Sequence, residues 1–275
     1  HAEAPLYLFD RTFNTTAPHL LHDYQASLHQ SCPYFNPTSS YHHDLFHLLG
    51  PTERPDHRWI IMGPANHPSG SAFHIEPNAT HAWNFPVTRS KYWIFYPPGV
   101  SPPGIHPSPN GDDVAMPISL GEWFLTYWDE HVKQRCHPDE MKRPMEGIVR
   151  PGEILFVPHG WWHLVLNLGS DGDTTTTHND DTLSIAVTQN YVSARNVSDV
   201  LRFLKTRQQQ ISGCRDRPEA VSPEELYHVF AEKLKVYDEA LWKTAYKDSE
   251  RTWMCHAWND VETKQDTTTT TTTIQ

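Results

Sequence analysis

No run in the 275-residue sequence approaches the ~18 consecutive apolar residues that a membrane-crossing helix needs, so a helical membrane protein is not expected. Basic charge is in short supply. Lys and Arg number 22 against 33 Asp and Glu, a formal net charge of −11. Bulk electrostatics of that sign repel nucleic acid and anionic membranes, and neither is expected as a partner of this domain. Cysteine is scarce too: Cys32, Cys136, Cys214 and Cys255 lie far apart with no CxxC pair. That spacing argues against a zinc ribbon and against a disulfide-dense secreted scaffold, and it points to reduced thiols in an intracellular protein of the nucleus or cytoplasm. Three NxS/T sequons, at Asn14, Asn78 and Asn196, read as chance products of a Thr- and Ser-rich chain. The chain opens on His1 rather than on methionine, so a fragment is expected, with any N-terminal address missing from it.

Internal repeats are also lacking, and the low-complexity pieces, Thr174–Thr177 and Thr267–Thr273, read as solvated tracts. What is present is a change of texture at Arg58. Before it, His19–Leu28 has the apolar spacing of a short helix. After it come short β-rich runs broken by turn residues: RWIIMG (58–63), SAFHIE (71–76), KYWIFY (91–96), GEILFVP (152–158), WHLVLNL (162–168) and LSIAVTQNYV (183–192). Such strands, with little helix between them, predict a mainly β sandwich or barrel. The Pro-rich Pro97–Pro109 stretch predicts a surface excursion. Helix signals return afterwards. Asn196 is placed to cap one helix, and Ser222-Pro223-Glu224-Glu225 starts another. The apolar stripe Leu226, Val229, Phe230, Leu234, Tyr237 and Leu241 must cover the barrel or a second copy of the chain. The expected organisation is an N-terminal helical and loop segment over 1–57, a barrel over 58–195, helices over 196–247 and a tail over 248–275.

The chemistry-bearing residues fall within the β-rich part. His74 and Glu76 are two apart in a strand-like run, so both side chains point to one face and can reach a single ion. An imidazole and a carboxylate on one strand, completed by a distant second histidine, make the facial triad of non-haem iron oxygenases, which leaves the opposite positions open. His163, between PHGWW and LVLNL, supplies that third ligand. His159 is a rival, but its Pro-His-Gly turn suits local hydrogen bonding better. His42, His43 and His47 read as surface residues, and Cys136-His137 and Cys255-His256 lack partners at zinc spacing.

The runs RWIIMGP, SAFHIEPNATHAWN, KYWIFYPP, PGEILFVPHGWWHLVLNL and AVTQNY together resemble the JmjC family, as do APLYLFD, LLHDY and HDLFHLLG upstream. Within it they look most like the branch of arginine demethylases and lysyl hydroxylases, the former phosphatidylserine receptor branch, with its fungal relatives. The resemblance spans roughly Pro5–Leu204 and implies a double-stranded β-helix (jelly-roll, cupin) barrel with flanking N- and C-terminal helices. It also implies Fe(II) on His74, Glu76 and His163, with 2-oxoglutarate as co-substrate and O2 as oxidant. Lys91 matches the lysine that pairs with the far carboxylate of 2-oxoglutarate; a buried ammonium needs such an anion. Ser71, Asn84, Thr188 and Asn190 match polar residues around the co-substrate, and Tyr24 is a weaker match to a tyrosine near it. The implied substrate is a lysyl or arginyl side chain of a protein, hydroxylated or demethylated, and a homodimer through the C-terminal helices is a further expectation. Two departures stand out: the metal carboxylate is Glu76 where this branch usually carries Asp, and Gly169–Thr182 looks like an insertion. A catalytically silent JmjC-fold module that binds proteins is the alternative, and a cupin using another divalent metal is the third.

Overall fold

The structure is a computed structural model, and it describes residues 7–20, 44–64, 69–109, 111–169 and 183–251. Eleven strands are present in these residues. The first six are β1 Leu8–Asp10, β2 Arg58–Pro64, β3 Gly70–His74, β4 His81–Thr88, β5 Lys91–Tyr96 and β6 His106–Pro107. The others are β7 Val114–Ala115, β8 Met145–Val149, β9 Leu155–Val157, β10 Trp162–Asn167 and β11 Leu183–Tyr191. Two antiparallel sheets carry the fold, one ordered β1-β2-β11-β4-β9 and the other β3-β10-β5-β8. Neighbours in each sheet come from distant parts of the chain, as in a double-stranded β-helix.

Strand alternation sorts the side chains into an inner and an outer set. On β5, Lys91, Trp93 and Phe95 point between the sheets, where Trp93 and Phe95 meet Val165 of β10, Val149 of β8 and Ala82 and Val157 of the opposite sheet. Ile94, Tyr96, Phe73 and Leu164 point outward into a second cluster with Leu120 and Trp123. Behind the five-stranded sheet, Ile60, Trp83, Phe85 and Val187 pack on Phe13.

The outer cluster is closed by a helix that the β-rich texture concealed, Leu120–Gln134. Its start signal is a capping box: Ser119 Oγ accepts from Glu122 N, and Glu122 reaches back to Ile118 N. The Pro97–Pro109 stretch is only partly a surface excursion, because Pro102, Pro103, Gly104 and Ile105 are buried and Pro103 O accepts from the Trp123 indole at 2.8 Å. Of the helix expected over His19–Leu28, only its first two residues are described, and both are helical.

After the barrel, helices Val197–Thr206, Pro223–Tyr237 and Glu239–Ser249 pack with Leu45, Phe46 and Leu49 into a core of their own. Three expectations need correction here. Asn196 makes no capping bond to its helix, because its carboxamide is committed to Ser193 and Ala79. Ser222 bonds the Glu225 carboxylate rather than a backbone N–H, although Pro223 does begin the helix. The apolar stripe is broken at Asp238, which caps the next helix through Leu241 N, so Leu226, Phe230 and Leu234 are buried while Tyr237 is exposed.

Candidate metal centre and the buried lysine behind it

Strand pairing ends at His74, so Glu76 lies just beyond β3, in extended backbone at φ −60°, ψ 136°. The residue type of β10 opposite completes the cluster: His163 pairs directly with His74. Ligand atoms of His74, Glu76 and His163 all lie within 4.8 Å of one another, and among the described residues no other group of three such side chains does so. The side chains of Glu76 and His163 are 11% and 2% exposed. Each imidazole is aimed by its own backbone. His74 Nδ1 donates to Ala72 O at 2.7 Å and His163 Nδ1 to Trp161 O at 3.1 Å, which leaves both Nε2 lone pairs for a metal. Asn190 Nδ2 donates to Glu76 Oε2 at 2.6 Å and to Thr80 Oγ at 2.9 Å.

The electrostatics suit a cation. Burial, and then the His163 charge, push His74 down to about 4, so it is a neutral donor at physiological pH. Burial alone would raise Glu76, yet the bond and charge of His163, with help from His74 and Asn190, hold it below the usual carboxylate range. Two imidazoles and a carboxylate are the donor set of open non-haem iron sites.

A β-bulge sets the next shell. Ser71 pairs with Val165 and His74 with His163, so two residues of β3, Ala72 and Phe73, oppose Leu164 alone. The extra residue brings Ser71 and His74 to the same inward face although they are three apart. Deeper on that face is Lys91, 1% exposed, whose ammonium donates to Asn167 Oδ1 at 2.5 Å. Among the described residues no carboxylate pairs with it, and burial lowers it to about 7. Asn167 is itself held by Ser69 Oγ and Ser184 Oγ at 2.8 and 3.0 Å.

Of the remaining expected residues, Asn84 and Thr188 face each other across β4 and β11. The Thr188 hydroxyl donates to Trp83 O at 2.9 Å, and Asn84 Oδ1 is buried without a partner among the described residues. Asn190 belongs with the metal cluster, through Glu76, rather than with Lys91. Tyr24 and most of the Gly169–Thr182 segment lie outside the described residues. The tyrosine that does reach this chamber is Tyr7, unanticipated because it precedes the first strand. It bonds Ser71 and Asn167, and burial pushes its phenol up to about 12. Only Gly63 permits its approach, since a Cβ there would lie 2.5 Å from the Tyr7 ring.

His159 is not a ligand; its ring is 3.4 Å from Asp199, and its backbone N–H donates to His81. Among the tryptophans of the barrel, Trp93 stacks 5.9 Å from His163 and Trp161 packs with the inner cluster, whereas Trp83 and Trp162 lie on the outer faces. His74 opens on a cavity of about 1160 Å³ whose walls include Pro97, Pro107, Met116, Met141 and Trp161.

A family model described as "Cupin-like domain" matches residues 5–196. The arginine-specific demethylase JMJ22 of Arabidopsis thaliana is 45% identical over 217 residues, covering 78% of this chain and 37% of that protein. The bifunctional arginine demethylase and lysyl-hydroxylase psr-1 of Caenorhabditis briggsae is 35% identical, over 71% of this chain and 42% of its own length. The human 2-oxoglutarate and iron-dependent oxygenase JMJD4 is 30% identical over 58% of this chain and 34% of its own. The chain thus spans less than half the length of these curated relatives. With two sheets folded as a double-stranded β-helix and a family match running from before β1 to the end of the barrel, the chain belongs to the cupin-like domain family.

Proposed function

We propose that this chain is the catalytic module of an Fe(II)- and 2-oxoglutarate-dependent oxygenase that hydroxylates, or by hydroxylating an N-methyl group demethylates, a lysyl or arginyl side chain of a protein. The observation that carries the reading is the pairing of two features in one chamber. A His74–Glu76–His163 cluster has its donors converged, and a buried Lys91 ammonium lacks a counter-anion among the described residues. A divalent metal fits the first and the far carboxylate of a dicarboxylate fits the second. Asn84 adds a buried carboxamide oxygen that has no partner among the described residues and that a polar ligand would satisfy.

Bound together, iron(II) and 2-oxoglutarate supply oxidising power from dioxygen, with release of succinate and carbon dioxide. The chain's own residues do the rest. Two imidazole nitrogens and the Glu76 carboxylate hold the metal from one side, and Asn190 keeps that carboxylate from turning away. Lys91 takes the far carboxylate, with Asn167 orienting the ammonium and the hydroxyls of Tyr7 and Ser71 alongside. Trp93, Phe95, Val157 and Val165 exclude water from the chamber and so strengthen the Lys91 contact. The cavity beside His74 admits a long side chain from solvent. Substrate class follows the relatives named for arginine demethylation and lysyl hydroxylation. Cys136 and Cys214 are free thiols, which agrees with a nuclear or cytoplasmic address.

The test is aerobic incubation with iron(II), 2-oxoglutarate and a library of basic and N-methylated peptides, read by mass spectrometry and succinate assay. Gain of one oxygen, or loss of one methylene, that disappears in His163→Ala supports the proposal. Metal binding with no succinate on any peptide would favour a silent binding module instead.

A further inference from the structure

Building on that reading of the metal centre, we infer that Asn78 and Asn196 are positioning residues for the Glu76 carboxylate, and that the segment after the barrel thereby sets metal affinity. Glu76 is not fixed by strand pairing, which stops two residues before it. It leads into the tight turn Pro77–Ala79, in which two consecutive non-glycine residues, Asn78 and Ala79, both have φ 55°. Left-handed backbone costs such residues about 1 kcal/mol or more each and persists only where the surroundings hold it.

Apart from Thr80 in the turn itself, the holding groups come from beyond β11 or from its end. Asn78, only 4% exposed, grips the backbone of Ser212 from both sides: Oδ1 accepts from Ser212 N and Nδ2 donates to Ser212 O, each at 3.1 Å. Asn196 is fully buried and donates from Nδ2 to Ala79 O at 3.0 Å, while its Oδ1 accepts from Ser193 N and Ser193 Oγ. Thr80 Oγ closes the turn onto Pro77 O at 2.7 Å and receives Asn190, whose amide also bonds Glu76. The turn backbone therefore links two sets of hydrogen bonds, those that tie it to Asn196 and to Ser212 between the first two helices after the barrel, and those that run from Thr80 through Asn190 to the carboxylate. A glutamate has one more rotatable bond than an aspartate and needs more restraint to present the same oxygen. The clamp supplies that restraint. It also accounts for the Asn78 sequon: its amide is buried and engaged, so it cannot carry a glycan in the folded chain.

The experiment is Co(II) titration of the full chain without co-substrate, followed by visible absorption, which reports both affinity and coordination. Asn78→Gly keeps the left-handed backbone and removes the grip. It is expected to weaken Co(II) binding roughly 10-fold or more and to alter the spectrum. Asn78→Asp, which keeps the acceptor for Ser212 N, is expected to fall between it and wild type, and Asn196→Ala to behave like Asn78→Gly. Phe230→Leu, in the core of the C-terminal helices, controls for general loosening: it should lower the melting temperature and leave the Co(II) affinity in place. Wild-type affinity and spectrum in Asn78→Gly would overturn the inference while leaving the metal centre intact, as would equal loss of affinity in Phe230→Leu at a matched drop in melting temperature. Should Asn78→Gly not fold, Asn78→Asp and Asn196→Ala decide the matter by the same readouts. Failure of the wild type itself to bind Co(II) would overturn the metal centre, and the inference with it.

Discussion

Replacing Lys91 by methionine should make the ligand-free protein more stable and the ligand-bound protein less so. Lys91 is 1% exposed, and burial lowers its ammonium from 10.5 to about 7. At neutral pH, keeping that group inside rather than in the unfolded chain costs about 4 kcal/mol. Methionine has nearly the same shape and no charge to desolvate. The substitution forfeits one hydrogen bond to Asn167 Oδ1, worth about 1–3 kcal/mol, but Ser184 Oγ still satisfies that oxygen. The balance is a gain of about 1–3 kcal/mol, or a melting temperature higher by roughly 2–10 °C for a chain of this size. The same change removes a charge-assisted bond to the co-substrate, so 2-oxoglutarate affinity should fall roughly 100-fold. Differential scanning fluorimetry with Mn(II), with and without 2-oxoglutarate, reads both effects at once. A Lys91→Met protein that melts lower than wild type without ligand, or that keeps the wild-type shift on adding 2-oxoglutarate, would refute the reasoning.

The proton balance of Lys91 gives a second test. Its native pKa lies below the unfolded value, so it contributes rising stability to the ligand-free protein as pH climbs from about 7 towards 10.5. An anion beside it restores the ammonium, so 2-oxoglutarate binding above about pH 7 should take up close to one proton; titration calorimetry in buffers of different ionisation enthalpy would show none if the contact is absent. His131→Phe should destabilise by about 1–3 kcal/mol in urea unfolding, since it strands the Tyr96 hydroxyl, which bonds the ring at 2.7 Å, whereas Glu146, bonded to the ring at 2.9 Å, keeps Tyr92 and Arg135; a change under about 0.5 kcal/mol would contradict this. Gly70→Ala should be worse for the site than for the fold. Gly70 has φ +150°, and a Cβ would fall 1.9 Å from Val165 O, so β3 must part from β10 and carry Ser71 and His74 with it. Retained Co(II) affinity in a folded Gly70→Ala protein would count against the role given to this strand pair.

The His74–Glu76 pair was legible because its signal is local, two residues apart in one strand-like run, whereas the distant His163 was picked out by its place at the head of LVLNL and by the resemblance. Lys91 became legible only through the resemblance, since a lysine on an isolated strand is ordinarily a surface residue. Tyr7 was not legible, because nothing in a single tyrosine before the first strand tells that Gly63 leaves room for its ring. Helix Leu120–Gln134 could have been found from Ser119 and Glu122 at capping-box spacing, and from Leu120, Trp123, Phe124, Tyr127 and Trp128 at helical spacing. Its aromatic content resembles that of the strands around it and obscured the period. The Asn196 bond to Ala79 was beyond reach for another reason: a carboxamide before an apolar run fits a helix cap as well as it fits a contact across 117 residues.

The bulge in β3 gives the count of residues between Ser71 and His74 a meaning of its own. In a strand without a bulge, deleting one of the two intervening positions would turn every residue on one side of the deletion to the opposite face. Here the deletion would restore plain alternation with β10 and remove the surplus that Leu164 now faces. If His74 keeps its place opposite His163, Ala72 and Phe73 then compete for one slot, and an aromatic ring or a methyl group must leave the outer cluster. Chains of this family that have lost a residue at this point are therefore expected to show compensating changes at the partners of Phe73, Tyr96 and Trp123, before any change at the histidines themselves.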